Sequence, residues 1–129
     1  MLAHRIIFLF TLSFFFAFNS YSQANFNFEK TDHHFGDIPA GSDTLWYDFK
    51  FSNSGAQPLE ITDVRTSCDC TLAEWPKEAV QPGKAAFIRA GFKIEGKSGR
   101  FDKSIIIFAN TQPATTILNI TGNVVGGLK

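Results

Sequence analysis

The chain has 129 residues, of which 44% are hydrophobic, and it carries 12 basic side chains, 12 acidic side chains and two cysteines. This length suits one domain. The equal numbers of basic and acidic side chains remove the usual electrostatic argument for nucleic-acid binding, which requires a clustered basic surface. Two cysteines are too few for a disulfide-dense miniature domain or for a four-cysteine zinc site.

Residues 1–22 have the composition of a secretory signal peptide. A basic start with Arg5 precedes a 13-residue apolar run, 6–18, and small and polar residues follow that run. We predict cleavage after Ser22, with cleavage after Ala24 as the alternative, because small residues precede both bonds. An apolar helix of 13 residues spans only about 20 Å, which is short of the roughly 30 Å hydrocarbon core, so a membrane anchor is disfavoured.

Cleavage of this leader sets the expected compartment of the mature chain. No cysteine lies near the cleavage region, since the first is Cys68, and a lipoprotein is therefore not expected. The sequence predicts a periplasmic or secreted protein with no membrane span after cleavage. Such a compartment is oxidising and permits disulfides. Residues 25–125 are the predicted domain, and residues 126–129 are predicted to be a flexible tail.

Apolar and polar residues alternate repeatedly along the predicted domain, which indicates β-strands. Phenylalanines between residues 26 and 35 mark one or two early strands, and residues 45–51 alternate most clearly. The residues predicted to face the core are Leu45, Tyr47, Phe49, Phe51, Leu59, Ile61, Ile88, Ala90, Phe92, Ile94, Leu118, Ile120 and Val124. About seven short strands separated by turn signals favour an all-β fold, an immunoglobulin-like antiparallel β-sandwich.

Three segments predict local irregularities in these strands. Val64 breaks the alternation begun by Leu59 and Ile61, which indicates a bulge or bend near Asp63. Residues 96–99, with the sequence Gly-Lys-Ser-Gly, predict a hairpin loop. Residues 105–108 are apolar on both faces, which suits a central strand covered on both sides or a strand with a lateral contact.

The most unusual motif is Cys68-Asp69-Cys70, in which one residue separates the two cysteines. In an extended strand their Cα atoms would lie about 6.6–6.8 Å apart, at the upper limit for a disulfide, and a turn at Asp69 would bring them closer. Three interpretations stay open. The pair can be a local disulfide or two inert thiols, a redox-active dithiol, or two thiolates that hold a soft metal such as Cu(I).

Other residues that can carry chemistry are dispersed. His33 and His34 point to opposite faces of an extended strand, so one packed and one surface histidine are expected rather than a shared metal site. Trp46 and Trp75 can form a ligand platform, although aromatic side chains of a small sandwich usually belong to its core or cover. Asn119 begins an N-glycosylation triplet, a match that is frequent by chance.

Six segments, taken together, resemble the bacterial family of exported domains DUF1573. They are His34-Phe35-Gly36-Asp37-Ile38, Phe49-Lys50-Phe51-Ser52-Asn53-Ser54-Gly55, Pro58-Leu59-Glu60-Ile61, Ser67-Cys68-Asp69-Cys70-Thr71, Pro82-Gly83-Lys84 and Gly96-Lys97-Ser98-Gly99-Arg100-Phe101. The resemblance extends from Phe28 to Val124, and its most specific parts are the Cys-x-Cys-Thr block and the Asn-x-Gly turn. It implies a sandwich similar to the major-sperm-protein and ASH/Hydin domains, and members are common in Bacteroidetes. The family usually has glycine between its cysteines, where this chain has Asp69.

The resemblance implies no settled activity, and the sequence contains no Gly-rich phosphate loop, Ser-His-Asp set or HExxH motif. We therefore expect a non-catalytic domain without a cofactor, which binds or scaffolds an envelope or secreted protein through a sheet edge or a sheet face. The alternative is a small thiol protein in which Cys68 and Cys70 bind a soft metal or exchange disulfides.

Overall fold

A computed structural model describes residues 23–126 of the chain, and all regular structure in this range is β. The eight strands, in chain order, are β1 (Phe26–Phe28), β2 (Asp32–Pro39), β3 (Thr44–Asn53), β4 (Ile61–Thr66), β5 (Thr71–Glu74), β6 (Ala85–Lys93), β7 (Gly99–Ala109) and β8 (Thr115–Val125). They form two four-stranded sheets. Sheet I has the order β1-β3-β6-β5, and sheet II has the order β2-β8-β7-β4.

The predicted sandwich is confirmed, with eight strands where about seven were expected. The early phenylalanines belong to two strands in different sheets, β1 and β2, and a short strand, β5, directly follows the cysteines. Strand β5 has only four residues, too few for alternation to reveal it.

Alternating side chains place the core between the sheets. In sheet I, Phe49 of β3 pairs with Ile88 of β6, and both side chains are buried. In sheet II, Leu118 and Ile120 of β8 are buried in the same way. Burying one such side chain contributes about 1.5–3 kcal/mol, so these facing rows are the main source of stability. The predicted inward faces of β3, β6 and β8 agree with the observed burial.

Strand β7 is central in sheet II but is covered on one side only. Ile105 and Ile107 are buried in the core, whereas Ile106 and Phe108 lie on the outer face and are half-buried. The guanidinium of Arg65 lies 5.2 Å from the centroid of the Phe108 ring. Cover on both sides was therefore the wrong interpretation, because long polar side chains and neighbouring strands shield the outer row partially.

The connections explain two further outcomes. The bulge predicted near Asp63 is confirmed, since the register of β4 with β7 shifts between Ile61 and Asp63. The hairpin predicted at residues 96–99 is wrong, because β6 belongs to sheet I and β7 to sheet II, so this link crosses between the sheets. Strand β2 also departs from a purely antiparallel sandwich, because it pairs with β8 in parallel.

The predicted signal peptide, residues 1–22, lies outside the described residues, and so does most of the predicted tail. Between residues 23 and 126 there is no helix that is long and apolar enough to cross a membrane.

Candidate functional site

Both cysteines lie in the link between β4 of sheet II and β5 of sheet I. The structure joins Cys68 and Cys70 as a disulfide, with their Cα atoms 5.3 Å apart. Their separation is shorter than in an extended strand because the chain turns here. The amide of Thr71 donates a hydrogen bond of 3.1 Å to the carbonyl oxygen of Cys68, which closes a four-residue turn. The turn expected at Asp69 is therefore present.

Asp69 fits this turn without a left-handed backbone. Among residues 23–126, no residue other than glycine has a positive φ. A glycine is consequently not required at this position, and aspartate is a favoured turn residue. Asp69 is exposed, so its carboxylate adds negative charge on the solvent side of the sulfur pair.

The cystine turn, residues 67–71, is attached to both sheets. The amide of Ser67 donates to the carbonyl of Ser104 in β7, and the amide of Lys93 in β6 donates to the carbonyl of Cys70, at 3.1 Å and 2.9 Å. The amide of Cys70 also donates to Sγ of Cys68 at 3.3 Å. Both cysteines are half-buried. The pair is therefore held in place by its surroundings and keeps one side open to solvent.

The two histidines occupy different environments, as expected for opposite faces of a strand. The ring of His33 stacks on Tyr47 with a centroid distance of 3.7 Å and contacts Phe35 edge-on. Burial, followed by the nearby charges of Lys30 and His34, lowers the pKa of His33. His34 is exposed, and its Nδ1 forms a hydrogen bond of 3.0 Å with Oγ1 of Thr121.

Metal-binding side chains are not clustered in the described part of the chain. No group of three or more histidine, cysteine, aspartate or glutamate side chains between residues 23 and 126 could hold a metal ion. The structure thus does not bring His33 or His34 together with the cysteines. A soft metal would have only the two sulfurs as ligands, and it would need them as thiolates.

The outer face of sheet I carries two large exposed aromatic side chains. Trp46 on β3 and Phe87 on β6 are each 45% exposed. The Trp46 ring lies across Gly91, its pairing partner on β6, and a Cβ atom at Gly91 would lie only 2.6 Å from Cζ3 of the ring. The backbone of Gly91 is not left-handed. Gly91 therefore provides space for the Trp46 ring. A lone glycine inside a strand often marks such a close approach.

An ion pair lies between the two aromatic side chains. Arg89 donates from Nε to Oδ1 of Asp48 at 2.8 Å and from Nη2 to Oδ2 at 3.1 Å. These hydrogen bonds lower the pKa of Asp48 and raise the pKa of Arg89. The guanidinium also lies 5.4 Å from the centroid of the Phe87 ring. The aromatic face, defined by Trp46, Asp48, Phe87, Arg89 and Gly91, thus combines apolar rings with a two-pronged charge pair.

Two grooves flank Phe87. One, of 480 Å³, lies beside β1 and β3 and includes Phe28 and Phe51 in its lining. The other, of 500 Å³, is lined by Trp75 and Pro76. The ammonium of Lys77 lies 3.1 Å from the centroid of a Trp75 ring. The structure therefore places Trp75 in a groove beside Phe87, whereas Trp46 lies on the far side of the ion pair.

The outer face of sheet II combines polar side chains with apolar ones, and its aromatic ring, Phe108 of β7, is half-buried. Oγ of Ser104 donates a hydrogen bond of 2.9 Å to Oδ1 of Asn119. The side chain of Asn119, the first residue of the glycosylation triplet, is therefore already hydrogen-bonded within the domain. Asn119 is half-buried. The large apolar side chains exposed on this sheet are Ile117, at 53%, and Val125, at 40%. Neither is aromatic.

The side chain of Asn53 holds several segments of the backbone together. The sequence motif around Asn53 predicts a turn but not this role. Its side chain is fully buried at 0% exposure. The Nδ2 group donates to the carbonyls of Gln57 and Val80 at 2.6 Å and 2.9 Å. The Oδ1 atom accepts from the amides of Asn25 and Gly55 at 3.2 Å and 3.0 Å. Four backbone groups from three segments are therefore satisfied by one side chain.

Solved structures with low sequence identity share this fold. The chain is similar to a protein of unknown function from Porphyromonas gingivalis W83, with a TM-score of 0.70 and 19% identity over 85% of this chain and 51% of that chain. It is also similar to the ASH / PapD-like domain 7 of human CEP192, with a TM-score of 0.60 and 8% identity over 82% of this chain and 89% of that domain. The VesB protease of Vibrio cholerae has a TM-score of 0.56 and 14% identity over 79% of this chain and 32% of its own chain.

These likenesses establish the immunoglobulin-like fold alone. The chain spans about half the length of the Porphyromonas gingivalis protein. No curated protein matches the chain. The sequence profile of one family, described as protein of unknown function (DUF1573), matches residues 26–124, which include all eight strands almost completely. The chain belongs to the DUF1573 family.

Proposed function

We propose that the chain is an exported, non-catalytic immunoglobulin-like domain that binds another protein of the cell envelope or of the secreted fraction. Membership of DUF1573 and the fold shared with a PapD-like domain support an interaction module. The observation that carries the proposal is the aromatic face of sheet I.

The composition of the aromatic face is typical of an interface centre. Tryptophan, phenylalanine and arginine are enriched in protein–protein interfaces, and tryptophan and arginine are frequent among the residues that dominate binding energy. Trp46 is held flat against Gly91, and Arg89 is held by Asp48. Because these side chains are ordered before binding, they lose little conformational entropy when a partner covers them.

Export is the second part of the proposal. The leader-like composition of residues 1–22 supports it, as does the cystine turn, because disulfides persist in oxidising compartments. In this proposal the mature protein is periplasmic or secreted and is not a lipoprotein.

The proposal is tested by removing the aromatic face without disturbing the core. A Trp46→Ser/Phe87→Ser variant and an Ile117→Ser control are exported in the native host, and bound proteins are compared after cross-linking and purification. The double variant is expected to lose a partner that both the wild-type protein and the control retain. Equal recovery of the same partners by all three proteins would contradict the proposal, provided that circular dichroism confirms folding.

A second candidate function rests on the half-buried, solvent-accessible cystine turn. We infer as the alternative that Cys68 and Cys70 exchange disulfides with a dithiol protein. The Cys68–Cys70 bond would break and accept two electrons and two protons, while the partner dithiol is oxidised to a disulfide. In the reduced state the same two sulfurs could bind Cu(I) as thiolates.

Mass spectrometry of the exported protein with and without reductant tests this alternative. A disulfide predicts a gain of about 2 Da on reduction, one hydrogen per sulfur. Copper titration followed by thiol alkylation tests the metal-binding form. If a Cys68→Ser/Cys70→Ser variant keeps its partner, its folding and its host phenotype, the thiol function is excluded and the interaction module stands.

A further inference from the structure

Strand β3 of sheet I is paired on both sides over only part of its length. On one side it pairs with β6 in a continuous register. On the other side β1 reaches only residues 51–53, and the amide of Glu29 adds one hydrogen bond to the carbonyl of Lys50. The chain then crosses to sheet II and forms β2. Residues 44–49, the open segment, therefore have no strand beside them on this side within the described part of the chain.

The open segment presents unpaired backbone groups at this edge. In an antiparallel strand the N–H and C=O of one residue point to the same side, and the side alternates from residue to residue. Because the carbonyl of Lys50 points to β1, the backbone groups of Asp48 and Trp46 point the same way. None of residues 23–126 hydrogen-bonds to these groups. Two amides and two carbonyls are therefore available to another strand.

The other sheet edges carry features that hinder the addition of a strand. Edge strands are commonly protected by short length, by a bulge or by proline. Strands β1 and β5 have three and four residues, and β4 has the bulge near Asp63. Strand β2 has a shift in register between His34 and Asp37 and ends at Pro39. The open segment has none of these features, since its register with β6 is continuous and it contains no proline.

We propose that the open segment binds an extended segment of another protein, which adds to sheet I as a strand in line with β1 and lies beside Trp46. The inference rests on the proposed function, and it names the kind of partner that the aromatic face takes, because Trp46 and Asp48 belong to both. A segment of about five or six residues, roughly 17–20 Å long, fills the edge. Its backbone provides the hydrogen bonds, and its alternate side chains provide selectivity.

The inward side of the edge determines which side chains such a partner can carry. Tyr47 of the open segment is half-buried, and the ring of His33 stacks on it at 3.7 Å. Phe35 contacts the His33 ring edge-on. Burial, followed by the charge of Lys30, lowers the pKa of His33, so a positive charge already lies nearby. We therefore expect apolar or aromatic side chains at the inward positions of the partner, where a basic side chain would be repelled.

A second copy of the chain fits this edge less well than an isolated segment. Two copies that paired through their open segments would run antiparallel about a twofold axis. With the open segments fully paired, Lys50 of one copy would lie opposite Asp43 of the other. The backbone of Lys50 already bonds to Glu29, so the chain before β3 of one copy would meet β1 of the other. An isolated segment can end before this point.

Synthetic peptides test the pairing through their backbone. Random peptides displayed on phage are selected against the purified exported protein, and the tightest binder is synthesised with one N-methylated amide at each position in turn. Alternate amides of a paired strand point to its neighbour. We expect methylation at alternate positions to weaken binding about tenfold, and methylation at the positions between them to have little effect. The peptide should also slow hydrogen exchange at the amides of Trp46 and Asp48.

Substitutions in β3 separate strand pairing from the aromatic face. Trp46→Ser removes the ring but keeps the amide, whereas Trp46→Pro removes both. Neither removes a hydrogen bond to β6, and proline is tolerated at such an edge position. Ala73→Pro is the matched control, because the amide of Ala73 points to the open edge of β5. We expect W46P to bind the peptide about tenfold more weakly than W46S, and A73P to bind it like the wild-type protein. Circular dichroism tests the folding of each variant.

The results that would overturn the inference differ in what they leave of the proposed function. A peptide that loses affinity in W46S but tolerates N-methylation at every position would exclude strand pairing and leave the aromatic face as the binding surface. A peptide that binds equally to the wild-type protein, W46S and W46P would contradict both. Failure to select any peptide would also overturn the inference, and a dimer that W46P dissociates would identify a second copy as the occupant.

Discussion

The two turns that carry the most specific family motifs are built in opposite ways. The turn at residues 53–55 has a fully buried asparagine whose amide satisfies four backbone groups. The cystine turn at residues 67–71 is half-buried and is closed by a covalent bond between near neighbours. Both turns lie in links that carry the chain from one sheet to the other.

This difference separates a requirement of folding from a candidate for function. A buried amide with four hydrogen bonds is costly to replace, since each orphaned polar group is penalised in the core. A disulfide across one intervening residue restricts little of the unfolded chain, so it contributes little by that route. The turn at residues 53–55 is therefore explained by its contribution to stability. The cystine turn contributes less to stability, and its sulfur atoms stay accessible to solvent.

Asn53→Ala is expected to have the largest effect. It leaves the amides of Asn25 and Gly55 and the carbonyl of Gln57 without this partner, whereas the carbonyl of Val80 keeps the amide of Leu59. The substitution should lower the free energy of unfolding by about 3–5 kcal/mol. Urea unfolding of the mature protein measures the loss. The same substitution at exposed Asn27 is the control and should change stability by less than about 0.5 kcal/mol. A loss below about 1 kcal/mol in the Asn53 variant would contradict this role.

Gly55→Ala is expected to have the next largest effect. The added methyl group would overlap the backbone of Ala24 and Asn25, which should destabilise the protein by about 2–3 kcal/mol and increase hydrogen exchange at these two residues. Gly41→Ala is a matched control, because a Cβ atom there would meet only Cδ1 of Ile94, at 4.0 Å. Equal stability of the two variants would show that Ala24 and Asn25 do not pack closely against Gly55.

Cys68→Ser/Cys70→Ser should destabilise the oxidised protein by only about 1–2 kcal/mol, because the ring closed by the disulfide is very small. Thermal unfolding with and without reductant measures the same quantity in the wild-type protein. If the double variant lost as much stability as Asn53→Ala, the contrast between the two turns would be wrong.

Acidification should produce the smallest change in stability. The change should be the same in variants of both turns, because His33 lies in β2 and in neither turn. Burial lowers the pKa of His33 in the folded state below its usual value of 6.5. The unfolded chain therefore binds more protons in this window, and stability should fall as the pH falls from about 6.5 through the lower folded pKa. His33→Phe should flatten this dependence, whereas His34→Gln should retain most of it, because burial lowers the pKa of His33 more than the charge of His34 does. An unchanged pH profile in the His33 variant would assign the effect to another group.

Alternation of apolar and polar residues was sufficient for the core faces of the strands and for the sandwich. Alternation does not encode which strands pair, and for this reason the link at residues 96–99 resembles a hairpin although it joins two sheets. The parallel pairing of β2 with β8 has no local signal either, since both partners are distant in sequence.

The site was predictable in part. The turn at Asp69 followed from the distance that two cysteines need, and the opposite environments of His33 and His34 followed from strand geometry. The aromatic face required knowledge of strand register, because Trp46 and Gly91 are far apart in sequence and meet only when β3 pairs with β6. Gly91 inside an alternating strand was the available signal.

The central claim, recognition of a protein through the aromatic face, is tested most directly by photo-cross-linking in the native host. A photoreactive amino acid is placed at position 87 on sheet I or at position 117 on sheet II, two exposed sites on opposite outer faces. We predict a specific adduct of defined mass from position 87 and none from position 117. Adducts of the same mass from both positions, or from position 117 alone, would contradict the claim.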